Sequence, residues 1–202
     1  MNNEKTFELW GEICGTRFKS SGSAMAAAKG FTSPDIITVT NCIATLFRAG
    51  KKDEVDLVFE EAVERGIIMG GNKLDSQWET DLSGMSIPVA STACRYILNK
   101  ALDLDLEELQ DITFITGTGK NYRHGKERDF LNSKASLKNR NGKEQKTSLR
   151  DCIQDLLKQD FDPSLDSYIP QRAQGTVVVK KASLVQWKQQ QSLSDSSSNS
   201  TG

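Results

Sequence analysis

The hydrophobic period changes once along this chain, and that change limits what it can fold into. Between residues 36 and 66 apolar residues return at helical spacing. Ile37, Thr40, Cys42, Ile43, Leu46 and Phe47 form one face, and Val55, Leu57, Val58, Phe59, Ala62 and Val63 form a second. The stretch A-G-K-K-D at 49–53 reads as the turn between them. Arg65-Gly66 reads as the stop, with a basic last turn followed by a C-cap glycine. Two amphipathic helices joined by a short turn cannot bury both apolar faces alone, so such a hairpin ordinarily stacks on another. Residues 4–28 carry a looser helical pattern, and F-T-S-P-D at 31–35 separates it from the hairpin.

After M-G-G-N-K-L-D-S-Q at 69–77 the pattern shifts to strands alternating with helices. W-E-T-D-L is a short strand. Ser86 is placed to cap a helix with Pro88 in its first turn, and Val89, Ala93, Tyr96, Ile97 and Ala101 then share a face. D-I-T-F-I-T from Asp111 is a second strand. T-S-L-R-D-C-I-Q-D-L-L-K is a second helix, with Leu149, Cys152, Ile153, Leu156 and Leu157 on its apolar side. Gly175–Lys180 is a β-branched strand, and Ser183–Trp187 reads either as an edge strand or as the start of a tail. The expected class is α+β. Helical hairpin repeats over residues 1–72 precede a small two-layer β-α-β-α-β-β domain over 78–188, and a low-complexity, disordered tail fills 189–202.

The formal net charge of -1 hides a strong segregation. Residues 1–119 hold eleven Lys/Arg against eighteen Asp/Glu, a net of -7, whereas residues 120–150 hold ten against three, a net of +7. The four cysteines are far apart and form no C-x-x-C pair; with a single histidine in the chain they read as buried reduced thiols rather than zinc ligands. No run of about eighteen apolar residues exists to span a membrane. The N-terminus lacks the apolar segment of a secretory signal and carries Glu4, Glu8 and Glu12, which does not suit an organelle transit peptide. A chain that opens within a helical pattern is what a fragment of a repeat array would look like.

The basic segment begins where T-G-T-G-K at 116–120 leaves the second strand. A P-loop needs four residues between its first glycine and Gly-Lys, then Ser or Thr; here the spacing is shorter and Asn121 follows Lys120. A dinucleotide fingerprint needs a third glycine where Tyr122 stands. Two readings are left. One is a plain strand-to-loop turn. The other is a contact to a nucleic-acid backbone, in which Gly117 and Gly119 turn tightly, Lys120, Arg123 and Lys126 neutralise phosphates, and Tyr122 stacks on an unpaired base. Asp81 ends the first strand and reaches the same sheet edge. Its carboxylate would cap its own turn, or orient a water or ribose hydroxyl, or hold a divalent metal such as Mg. No second acid stands at motif spacing, so a two-metal nuclease is not supported. Ser83 would join a hydrogen-bond network but lacks the pKa of a general base. His124 is either a surface loop residue or an acid–base group near the glycine turn.

Two families are similar in these residues. Residues 37–71, with N-C-I-A-T-L-F-R-A-G-K-K-D-E-V-D-L-V-F-E-E-A-V-E-R-G-I, resemble a pentatricopeptide repeat, and residues 19–36 resemble the degraded end of a preceding one. The resemblance implies a helical solenoid that reads single-stranded RNA. The base-facing residue would be Asn41, paired with Gly71 or Asn72 at the repeat end. Residues 78–188 resemble the Smr (small MutS-related) domain: D-L-S-G-M-S at 81–86 matches its L-D-x-H-G-type strand end, and I-T-G-T-G-K at 115–120 its T-G-x-G-K-type turn. That resemblance implies a nuclease module acting in RNA processing in a chloroplast or mitochondrion, with Asp81 and Ser83 on its first motif; the residue reading adds His124 as the third catalytic candidate. It also carries a departure. Ser83 stands where the family has histidine, so the domain either retains weak endonuclease action or is an inactive RNA-binding or protein-binding adaptor. The basic stretch 121–147 would be an insertion that enlarges the RNA surface.

Overall fold

The structure is a computed structural model; it describes residues 34–68, 78–117 and 148–198, with side chains described as far as residue 193. The expected helix at 4–28, the linker 69–77, the insertion 121–147 and the last residues of the tail lie outside the described residues, as do Cys14, Gly71 and Asn72. The chain divides into two compact units, Met1–Asp75 and Ser76–Gly202.

In the first unit, helix α1 (Ile36–Arg48) and helix α2 (Lys52–Glu64) pack together as a hairpin. Asp35 starts α1 by accepting the Thr38 N–H at 2.8 Å, and the hydroxyl and amide of Thr38 hold its carboxyl below the usual range. Both helices end in the same way. Gly50 and Gly66 take φ of +71° and +70°. Lys51 N–H reaches back to Leu46 O and Gly50 N–H to Phe47 O, just as Ile67 N–H reaches Ala62 O and Gly66 N–H Val63 O. These are paired Schellman closures, which satisfy carbonyls that the helix itself cannot. The buried face comprises Val39, Cys42, Ile43 and Leu46 on α1, and Val55, Val58, Phe59, Ala62 and Val63 on α2. Four residues of the expected faces are not in it: Ile37 is 65% exposed, Leu57 45% and Phe47 36%, and Thr40 is half-buried. At about 100° per residue Ile37 and Leu57 fall on the far side of their helices and Phe47 at the margin of the face. Val39, absent from the expected face, takes the inward position.

The second unit is a mixed α+β fold. Strand β1 (Glu79–Asp81), helix α3 (Ile87–Leu102), strand β2 (Ile112–Ile115), helix α4 (Leu149–Gln159), strands β3 (Ser167–Tyr168) and β4 (Thr176–Val179), and helix α5 (Lys181–Ser198) follow in order. The sheet runs β1-β2-β4-β3. β1 is parallel to β2, with Asp81 opposite Ile115, while β4 is antiparallel to both of its neighbours. α3 and α4 pack on each other, and α4 on β4. The core joins Val89, Ala93, Ile97 and Ala101 of α3 to Ile153 and Leu157 of α4 and to Phe114, Val177 and Val179 of the sheet. Cys42 and Cys94 are buried free thiols and Cys152 is half-buried. Burial pushes the thiols of Cys94 and Cys152 up, away from the reactive thiolate.

Three expectations need correction. Ser183–Trp187 is not an edge strand but the first turns of α5. Asp111 Oδ1 accepts Lys181 N–H at 2.8 Å and so caps the helix from a distant part of the sequence, and Leu184 and Trp187 are buried three residues apart on one side. The helix runs on through 198, so the tail expected from 189 begins as helix. The remaining strand is Ser167–Tyr168, only two residues long and hidden between Pro163 and Pro170 in a stretch of loop composition. Finally, Ser86 occupies the N-cap position of α3 without a side-chain cap bond. Pro88 brings no N–H to the second helical position, which removes one of the donors a capping hydroxyl ordinarily takes.

α5 begins two residues after β4 ends. Trp187 meets Phe161 edge-on at 5.2 Å, and Gln191 Nε2 donates to Asp162 O at 3.1 Å. Lys188 Nζ donates to Leu102 O and Leu104 O, so a cation closes the C-terminal end of α3. No described helix is long and apolar enough to cross a membrane.

Replacing Gly50 with alanine tests the first closure. A Cβ there meets nothing within 4 Å, so the cost is the left-handed backbone alone. Gly50→Ala is expected to lose about 1–2 kcal/mol in urea unfolding, and Gly50→Asn clearly less.

Candidate functional site

Because β1 and β2 are parallel neighbours in register, their C-terminal ends arrive at one edge of the sheet. Leu82 N–H continues the pairing onto Ile115 O at 2.8 Å. The chain then turns. Met85 N–H closes on Leu82 O at 3.1 Å, and Gly84, third of the four turn residues, has φ +84°, the pattern of a type II turn. Asp81 Oδ1 accepts Ser83 N–H at 2.8 Å, which fixes the carboxylate against the turn it begins. Asp81 and Ser83 are both exposed.

The strand-end turn of β2 lies directly against this one. Gly117 has φ +75°, and a Cβ built on it would stand 3.3 Å from the Ser83 Cβ. Two independent demands therefore select glycine at 117: a left-handed backbone and a tight approach to the neighbouring turn. A third segment holds the other side. Gly175 O, just before β4, accepts Thr116 N–H at 2.7 Å, Gly117 N–H at 3.1 Å and the Thr116 hydroxyl at 3.0 Å. Thr116 itself is buried. Arg150, in the first turn of α4, donates through Nη1 to Gln174 O at 3.2 Å, so the start of α4 joins the same assembly. Ser148 caps α4 by accepting Asp151 N–H at 3.2 Å, and a separate bond from the Ser148 hydroxyl to the Asp151 carboxyl, with the nearby Arg150, holds that carboxyl below the usual range. The stabilisation from this lowered pKa is present above the ordinary value of 3.8 and is lost as pH falls through the lowered one.

Asp81, Ser83 and Gly117 thus come together. Gly119, Lys120, Tyr122, Arg123, His124 and Lys126 lie outside the described residues. Asn41 is exposed on α1 in the other unit. Sequence reasoning missed Gly175 as the carbonyl that anchors the glycine turn. The only signal was a glycine opening a β-branched run, and the antiparallel return of β4 onto β2 was not legible. It also placed Arg150 within the basic segment without assigning it a place at this edge.

The chemistry available follows from which groups are already engaged. The Gly117 N–H points inward to Gly175 O, so this amide is not a free donor of an anion cradle, contrary to the simplest reading of the glycine motif. The Ser83 hydroxyl, the Gly84 N–H and the Arg150 guanidinium are the donors facing no complete set of partners among the described residues. No group of three or more His, Cys, Asp or Glu side chains that could hold a metal occurs among the described residues. At this turn they supply the Asp81 carboxylate, one oxygen of which already accepts an N–H. A serine hydroxyl without an adjacent base is a weak nucleophile. Comparison with protein-family models, with curated proteins and with solved structures gives no match.

The coupling between the two turns is measurable. Gly84→Ala meets nothing within 4 Å and carries only the backbone cost, whereas Gly117→Ala also meets Ser83. Gly117→Ala is expected to cost more, and Ser83→Gly in the same chain to return at least about 0.5 kcal/mol of the loss in a double-mutant cycle.

Proposed function

We propose that this protein binds single-stranded RNA and that the edge formed by Asp81, Ser83, Gly84 and Gly117 is a phosphate-contacting surface rather than a cleavage centre. The meeting of the two turns at one sheet edge carries the reading, because the +7 segment of residues 120–150 begins three residues after Gly117 in the sequence. Cationic side chains supply sequence-independent affinity for phosphates, and Tyr122 adds a stacking surface for an unpaired base. The pentatricopeptide-like hairpin adds Asn41 as an exposed base-reading side chain. The resemblance of residues 78–188 to the Smr domain points toward RNA in the same way.

The Smr resemblance also raises RNA cleavage. The engagement of Asp81 by the Ser83 amide argues for the non-catalytic form of this reading. It gives the carboxylate a structural task, and serine replaces the histidine that the family motif carries at this position. Asp81 then orients the turn, Ser83 and Gly84 offer donors to a phosphate oxygen, and Lys120, Arg123 and Lys126 steer the strand. A protein-binding adaptor is the outcome if RNA does not bind.

Purified protein titrated with short unstructured RNA across a salt series should bind with log affinity falling linearly with log salt. Lys120→Ala should reduce the slope by about 0.7 and weaken binding equally across sequences. Salt-insensitive or absent binding counts directly against the proposal. The same RNA incubated with wild type and Asp81→Ala should stay intact in both; Asp81-dependent cleavage would overturn the non-catalytic assignment.

A further inference from the structure

The reading of this edge as an RNA-phosphate site leaves open which cation is held in a fixed position there. We infer that Arg150 is that cation and takes a phosphate of the bound strand directly. Its position follows from a short chain of contacts. Arg150 Nη1 donates to Gln174 O at 3.2 Å, and the next residue, Gly175, holds Gly117 through its carbonyl at 3.1 Å. The guanidinium is therefore tied to the residue beside the one that anchors the glycine turn.

The rest of the group is held from the other side. Arg150 Nε and Nη2 both donate to Asp151 Oδ1 at 3.3 Å. The backbone of Asp151 is set at the helix start, where its amide donates to the Ser148 hydroxyl. Anchoring on both sides removes rotamer freedom before any ligand arrives, and less order then has to be imposed on binding. A guanidinium carries five N–H donors. Three nitrogens are engaged once each by Gln174 and Asp151, so one hydrogen on each terminal nitrogen remains. Two donors on a planar fork match two phosphate oxygens, which a lysine ammonium does not reproduce. The side chain is 32% exposed, enough to be reached by a ligand. Asp151 plays a second part: its carboxylate competes with an incoming phosphate for the same guanidinium, so it tempers affinity while it sets geometry.

The alternative role for Arg150 is a structural tie between α4 and the residues before β4. Salt dependence separates the two, because a structural tie changes affinity without removing a phosphate contact. Full-length wild type, Arg150→Gln, Asp151→Asn and Asp155→Asn are titrated with a short oligouridine across a salt series, with thermal unfolding of each as a control. Asp155 is exposed further along the same helix, so its substitution matches the charge change of Asp151→Asn away from the guanidinium. Arg150→Gln is expected to weaken binding about fivefold and to lower the salt slope by about 0.7. Asp151→Asn is expected to tighten binding about threefold, and Asp155→Asn distinctly less. If wild type binds with a salt slope that Arg150→Gln leaves intact, the assignment of Arg150 falls while the RNA reading stands. If wild type does not bind, the RNA reading itself falls. Should Arg150→Gln fail to fold, the comparison of the two aspartate variants decides, and equal effects of both would overturn the inference.

Discussion

The register between two very short parallel strands governs the whole candidate site. Asp81 stands opposite Ile115, and the Leu82 amide extends that pairing by one further bond. A slip of one residue would send every side chain of β1 to the opposite face of the sheet and separate the two turns. The pairing is short, so it depends on what surrounds it. Leu82 is fully buried beyond the strand end, Phe114 is fully buried in β2, and β4 supports β2 from its other side. Parallel strands are usually buried between layers, whereas β1 buries only Thr80 of its three residues, with Leu82 just beyond its end. The close approach of Gly117 to Ser83 is a consequence of this register.

The parts of this architecture that sequence revealed are those fixed by local chemistry. Gly50 and Gly66 announced helix ends because only a left-handed residue completes a Schellman closure, and both closures are present. Leu149, Ile153, Leu156 and Leu157 announced a buried stripe because their spacing is that of a helix face, and all four are buried. The parts that stayed hidden depend on residues far apart in the chain. Ser183–Trp187 has three apolar residues in a short run that suits a strand or a helix alike, yet Asp111, 70 residues before Lys181, supplies the cap that begins a helix there. Ser167–Tyr168 has no strand pattern of its own and is strand only because Val178 and Val179 lie beside it.

The site shows the same division. Asp81, Ser83 and Gly117 could be placed near one another from strand order alone, because parallel strands deliver their ends to one edge. What the other groups do there could not. The Asp81 carboxylate caps its own turn through the Ser83 amide, a contact only two residues long that the sequence already offered as one reading. The Gly117 amide is turned toward Gly175 and Arg150 is drawn in by Gln174, contacts across the fold that no spacing in the sequence encodes. They move the weight of the site from the glycine amide to the donors around it.

The anchoring of Thr116 and Gly117 on Gly175, and of Arg150 on Gln174, has a consequence for how this surface can vary. Gly175 and Gln174 are adjacent, so the end of β2 and the start of α4 are pinned to a single strand entry. A backbone shift at 174–175 moves both clamps together. Variation at this edge is therefore coupled through two residues rather than spread over separate elements.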